Sequence, residues 1–225
     1  MKLYFTVNTV AEMICLLIGV FCLAKDKTPI WRYFIIFLLL TCVTELTGIY
    51  IREMTDMSNA PLYNVYLLVE CGFISYFFYY LYLQYTNKRS TLILWLCIFL
   101  AMYVRESQLL HFAKFVNVTA STESVVFVLA SLYFYYLILR DEKYVVLNTY
   151  APFWWVNGTL IFYFGSTATN IFNDYLVHDK ISLISSSIRY VTFSILNVLL
   201  YACWSYAFIC RFLQRKYYSS SVSQP

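Results

Sequence analysis

Four glutamates, Glu12, Glu45, Glu70 and Glu123, and one arginine, Arg189, each interrupt a long apolar run of this sequence. An ionisable side chain at mid-membrane costs ~2.5–3.5 kcal/mol on insertion scales, so such residues turn inward and pair. One arginine neutralises at most one or two carboxylates. The others must reach Arg52, Arg105 or tyrosine hydroxyls, meet water, or hold a proton. A hydrated cluster of this kind suits the binding of a small polar solute.

Depth and helical phase bring these residues together. Glu45 lies fourteen residues after Trp31, a rise of about 21 Å. Glu12 and Glu70 stand nine and eight residues inside their own runs, about 12–14 Å deep. Thr41, Glu45, Gly48 and Arg52 recur along one helical face, as do Asn8, Glu12, Cys15, Gly19 and Cys22. A polar stripe of Thr159, Tyr163, Ser166, Asn170 and Asn173 marks the sixth run, and Ser182, Ser186, Arg189, Phe193 and Asn197 mark the seventh. The third run adds Tyr63, Tyr66 and Glu70. The candidate pocket is therefore Glu12, Glu45, Tyr66, Glu70, Glu123, Tyr163, Asn170 and Arg189, in the outer half of a bundle. The alternative is a set of packing seams. Small residues such as Gly19, Gly48, Gly158 and Gly165 would then let helices approach, and polar side chains would tie them together.

The elements that position these residues follow from composition. Of 225 residues, 61% are hydrophobic, 21% aromatic and only 12% charged, against about 45–50% apolar and about 25% charged in soluble domains. That excludes a disordered chain, a secreted disulfide scaffold and a nucleic-acid-binding domain. A spanning helix takes ~20 apolar residues. Seven such runs are predicted: Leu3–Ala24, Trp31–Ile51, Leu62–Gln84, Leu92–Phe112, Thr119–Leu139, Ala151–Phe172 and Ser182–Phe212. The first run lacks a small-x-small cleavage site and reads as a retained helix. The expected fold is all-α, a single seven-helix transmembrane domain over residues 1–212 with a short flexible cytoplasmic tail at 213–225.

Charge sets the orientation. With seven spans, one side carries Lys25, Lys27, Arg32, Lys88, Arg89, Arg140, Lys143, Arg211, Arg215 and Lys216, and the other Lys2, Arg52, Arg105, Lys114 and Lys180: ten against five. If the fourth run, which ends in Arg105, Glu106 and Gln108, failed to span, the balance would be eight against seven. The positive-inside bias therefore favours seven spans, the N-terminus outside and the C-terminus in the cytoplasm. All five tryptophans, Trp31, Trp95, Trp154, Trp155 and Trp204, fall at the cytoplasmic level, where interfacial anchoring is expected.

Other chemistry has little support. The seven cysteines all lie in apolar runs without a Cys-x-x-Cys pair and read as soft core residues. Only His111 and His178 are present, so no metal site is expected. No phosphate-binding glycine loop and no nucleophile beside a base is found. No catalytic residue and no cofactor is assigned.

The segments Thr44–Tyr50, Leu62–Tyr66 with Glu70, and Trp155–Gly165 resemble uncharacterised seven-helix integral membrane proteins of Bacteroidota. The resemblance implies a bacterial inner (cytoplasmic) membrane and carries no activity. The expected function is a sensory or accessory signalling module with an outward-facing polar ligand pocket. Its partners would be the lipid bilayer and a cytoplasmic signalling protein or a second copy. The alternatives are a small-solute or ion transporter or channel, and a membrane-embedded lipid-modifying enzyme.

Overall fold

The computed structural model describes the backbone of residues 6–54, 58–87, 89–141, 146–177 and 182–222, with side chains except those of residues 170–189 and 217–222. These residues form seven α-helices and one 3-10 turn: α1 (Val7–Leu23), α2 (Pro29–Met54), α3 (Ala60–Tyr82), α4 (Arg89–Leu109), α5 (Asn117–Arg140), the turn Leu147–Thr149, α6 (Ala151–Val177) and α7 (Ser182–Val222). No strand occurs among the described residues. The helices α2, α3, α4 and α5, together with the Tyr190–Lys216 stretch of α7, are long and apolar enough to cross a membrane. Large apolar side chains face outward, with Phe21 77% and Leu94 61% exposed. Such a surface is stable against lipid and not against water.

Local chemistry sets the helix ends. The Thr6 hydroxyl accepts from the Thr9 N–H at 3.2 Å and caps α1. Pro61 opens α3, where its missing N–H costs nothing. No side chain of its own N-cap residue closes α5. Glu106 does so from the end of α4, accepting the Val118 and Thr119 N–H groups at 2.9 and 2.8 Å and the Thr119 hydroxyl at 2.6 Å. A carboxylate there answers both the orphan donors and the helix dipole. Glu106 is thus a helix cap and not a member of the polar pocket. Buried Asn64 ties the same loop to α3, donating to the Lys114 carbonyl at 3.0 Å and accepting from the Val116 N–H at 3.2 Å.

Cross-helix contacts fix the topology. Tyr201 meets Glu12 and Arg211 meets Asp26, so α1 and α7 run parallel. Glu45 meets Tyr63 whereas Trp31 meets Phe77, so α2 and α3 are antiparallel. Trp95 reaches Ser75, and Tyr135 reaches Asn157. The helices alternate in direction along the sequence, and the first and last close the bundle side by side. Its N-terminal end carries the start of α1 and its C-terminal end the finish of α7. The widest seam joins α6 and α7. A Cβ on Gly158 would lie 2.8 Å from the Cys203 Cβ and 3.1 Å from the Leu200 carbonyl, and one on Gly165 would lie 2.5 Å from a Leu196 methyl. The packing role read for these two glycines holds.

The half of the bundle toward the C-terminal end is filled by rings. Phe34 makes edge contacts with Phe73, Phe77, Trp204 and Phe208 at 5.0–5.5 Å and with Trp155 at 6.3 Å. Trp155 stacks on Trp204 at 6.1 Å. The expected row of interfacial tryptophans is therefore corrected in part. Trp31, Trp155 and Trp204 are buried and build an aromatic plug, while Trp95 and Trp154 remain half-exposed. Position along a sequence gives depth in the membrane but not the direction a ring faces.

Below the plug, α7 continues as helix to Val222, through most of the stretch expected to be a flexible tail. Arg211 and Arg215 stand one turn apart and both reach Asp26, just beyond α1, at 3.0 and 3.4 Å. Arg211 also donates to the Thr28 hydroxyl at 2.8 Å and lies 5.5 Å over the Trp31 ring. Arg215 bonds the Cys22 carbonyl. Burial would push the Asp26 carboxyl up. Hydrogen bonds from Arg211 and the Thr28 N–H, with both arginine charges, outweigh it and hold Asp26 below its ordinary 3.8. A carboxyl that titrates lower when folded contributes stability above roughly pH 4 and loses it as pH falls through the folded value. The unfolding midpoint of the purified protein is expected to fall below about pH 4, and Asp26→Asn to flatten that fall.

Candidate functional site

Above the plug the helices enclose a cavity of about 160 Å³ between α1, α2, α3, α6 and α7. Carboxyl groups of Glu12, Glu45 and Glu70 line it, with Tyr66 and Tyr163. Five of the eight residues expected in the pocket thus meet there. Glu123 does not line it. Its side chain is sealed between α3 and α5, within hydrogen-bonding reach of Cys71 and close enough to Glu70 for their charges to interact. Asn170 and Arg189 belong to α6 and α7 but lie outside the residues whose side chains are described.

Each lining carboxylate is held by a phenol from another helix. Tyr201 donates to Glu12 Oε1 at 3.1 Å, Tyr63 to Glu45 Oε2 at 2.8 Å, and Tyr163 to Glu70 Oε1 at 2.5 Å. Tyr66 and Thr41 share a 2.7 Å hydrogen bond between their hydroxyls. A phenol is a neutral donor on a stiff ring, so it orients a carboxylate without cancelling its charge. The expected basic partners are elsewhere. Arg52 is exposed and sits 3.8 Å from Glu53, and Arg105 faces outward. Among the described residues no lysine, arginine or histidine lines the cavity. Glu12 is 5% exposed and its Oε2 has no partner, and neither does Asn8 Oδ1 on the same wall.

The cavity also uses residues absent from the expected set. Tyr201 is the clearest, and its signal was present: it lies four residues beyond Asn197 and so continues the polar stripe of α7. Trp204 closes the floor, its indole N–H donating to the Thr159 hydroxyl at 3.3 Å. Gly48 gives room for Tyr63. A Cβ there would lie 2.7 Å from the Tyr63 hydroxyl oxygen, which can swing away at the cost of its bond to Glu45. Gly48→Ala and Tyr63→Phe should each cost about 1.5–3 kcal/mol, the value of a hydrogen bond to a charged group. The double variant should cost no more than either alone, as a double-mutant cycle on unfolding free energy would read. Additive losses would mean that Gly48 acts elsewhere.

The seven cysteines are free, and five of them are buried. Among the described residues no three His, Cys, Asp or Glu side chains converge to hold a metal ion. Comparison with protein-family models, curated proteins and solved structures finds no match for this chain.

Proposed function

We propose that the chain is a seven-span membrane protein whose polar cavity binds a small solute, and that it serves as a sensory or accessory signalling module. The observation that carries this reading is the carboxylate cavity closed on its C-terminal side by the aromatic plug. A site open toward one end and sealed toward the other suits binding and readout better than a continuous path. Ligand sites are concave, largely apolar and set with a few placed polar groups. The charge asymmetry of the loops supports a cytoplasmic position for the plug and the Asp26–Arg211–Arg215 clamp, and with it a cavity that faces outward. The alternating helix directions suit α1 and α6 as further spans beside the five apolar stretches. The clamp, which joins α1 to α7, lies where a cytoplasmic partner or a second copy would sense movement. With the resemblance noted in three segments, the reading is of a bacterial inner-membrane protein.

Reconstituted into liposomes, the protein is expected to leave imposed proton and K⁺ gradients as long-lived as they are in protein-free vesicles. A protein-dependent collapse that disappears with Glu45→Gln or Glu70→Gln would replace this reading with a channel or transporter.

A further inference from the structure

We infer that the cavity takes a small organic cation, an ammonium no larger than a few heavy atoms around the charged nitrogen. This rests on the reading of the cavity as a solute site and names its class of guest. Three carboxylates line the cavity, and each has spent one oxygen on a tyrosine. What is left over is acceptor capacity. The two unpartnered buried polar atoms on the lining, Glu12 Oε2 and Asn8 Oδ1, are both acceptors, and a buried acceptor without a donor costs about 1–3 kcal/mol. The missing group is a donor or a positive charge. Among the described lining residues no cationic side chain offsets the three carboxylates, so an anion is disfavoured here.

The walls narrow the class further. Phe37, Tyr66, Phe162 and Trp204 line the same space as the carboxylates, and aromatic faces attract ammonium groups. A chelated metal has no ligand set of three among the described residues. A volume of about 160 Å³ is below the ~300–1,000 Å³ of drug-sized pockets, which suits a guest of choline size and excludes a peptide. Glu12 takes the charge, because among the described residues its Oε2 is the lining carboxylate oxygen that is both buried and unpartnered, and Trp204 forms the floor.

The test is calorimetric titration of the full chain in lipid nanodiscs with choline, with tetramethylammonium, and with 3,3-dimethylbutan-1-ol, the uncharged carbon isostere of choline. Saturable binding of choline is expected, at least ten-fold tighter than the alcohol. Glu12→Gln should weaken choline binding ten-fold or more while the thermal unfolding midpoint stays within a few degrees. If that variant fails to fold, Glu45→Gln serves instead: it removes another of the lining carboxylates and should weaken binding of choline several-fold while leaving that of the alcohol unchanged. Equal affinity for choline and the alcohol, or binding of acetate in place of choline, would overturn the inference and leave a solute site standing. If neither ammonium binds although the Thr44→Cys thiol reacts with aqueous reagents, the cavity is open but not to organic cations, and the inference is wrong. If that cysteine is also unreactive from both sides, the solute-site reading itself fails.

Discussion

Phe34→Ala should lower the unfolding free energy by about 4 kcal/mol, within the ~3–5 kcal/mol range for large aromatic truncations in packed cores. Phe34 is fully buried and is the ring that Phe37, Phe73, Phe77, Trp155, Trp204 and Phe208 all contact. These partners come from α2, α3, α6 and α7, so no single helix can move to fill the void. In lipid the driving force lies in packing more than in exclusion of water, and a void forfeits those contacts outright. Phe34→Leu should cost much less, since most of the volume remains. Equilibrium unfolding in mixed micelles would read the difference. A loss below about 1 kcal/mol for the alanine variant, the scale of a tolerated volume-conserving swap, would mean that the plug is loosely packed and does not seal the cavity floor.

The second large effect is expected at the other end of the plug. Asp26→Ala removes the one carboxylate that both Arg211 and Arg215 approach, at 3.0 and 3.4 Å. Losing one partner of a buried ion pair costs ~3–5 kcal/mol, because the other charge stays behind. The arginine side chains are about a quarter exposed here and keep some solvation, which puts the expected loss near 3 kcal/mol. Asp26→Asn keeps one acceptor oxygen, which can still take the Thr28 N–H and one Arg211 N–H, and should lose less. Arg211→Met and Arg215→Met together with Asp26→Leu should recover most of the stability, since an apolar substitute for an entire buried pair is often neutral. If Asp26→Ala is silent, the α1–α7 contact at this end is not a clamp, and no signal can be routed through it.

The helices were legible because the bilayer imposes a length. Six of the seven α-helices begin within four residues of the predicted starts and α7 begins at the predicted Ser182, since a 20-residue apolar run leaves little choice. The meeting of Glu12, Glu45 and Glu70 was also legible, since buried carboxylates and helical phase point the same way. Partner identity was not. Helical phase places Tyr201 and Tyr63 on polar faces but cannot say which carboxylate each phenol reaches. The capping role of Glu106 was not legible, because a carboxylate at the end of one helix shows itself as a cap only when the start of the next is placed beside it. Trp31, Trp155 and Trp204 misled: their level along the chain fits an interface, and only packing shows that they face one another. The end of α7 was hidden by its arginines, which read as a polar tail until Asp26 is seen to bind them.

A carboxylate cavity that binds solute from outside must admit aqueous reagents from one side of the membrane and be sealed from the other. Side-specific thiol modification tests it most directly. A single cysteine is placed at Thr44, on the cavity lining, and in a second variant at Phe34, inside the plug, with the native cysteines replaced by serine or alanine. A membrane-impermeant methanethiosulfonate is then applied to sealed spheroplasts and to inverted vesicles. Cysteine at 44 should react in spheroplasts and stay unreactive in inverted vesicles, and cysteine at 34 should be protected in both. Modification at 44 from the cytoplasmic side, or protection from both sides, would contradict the claim.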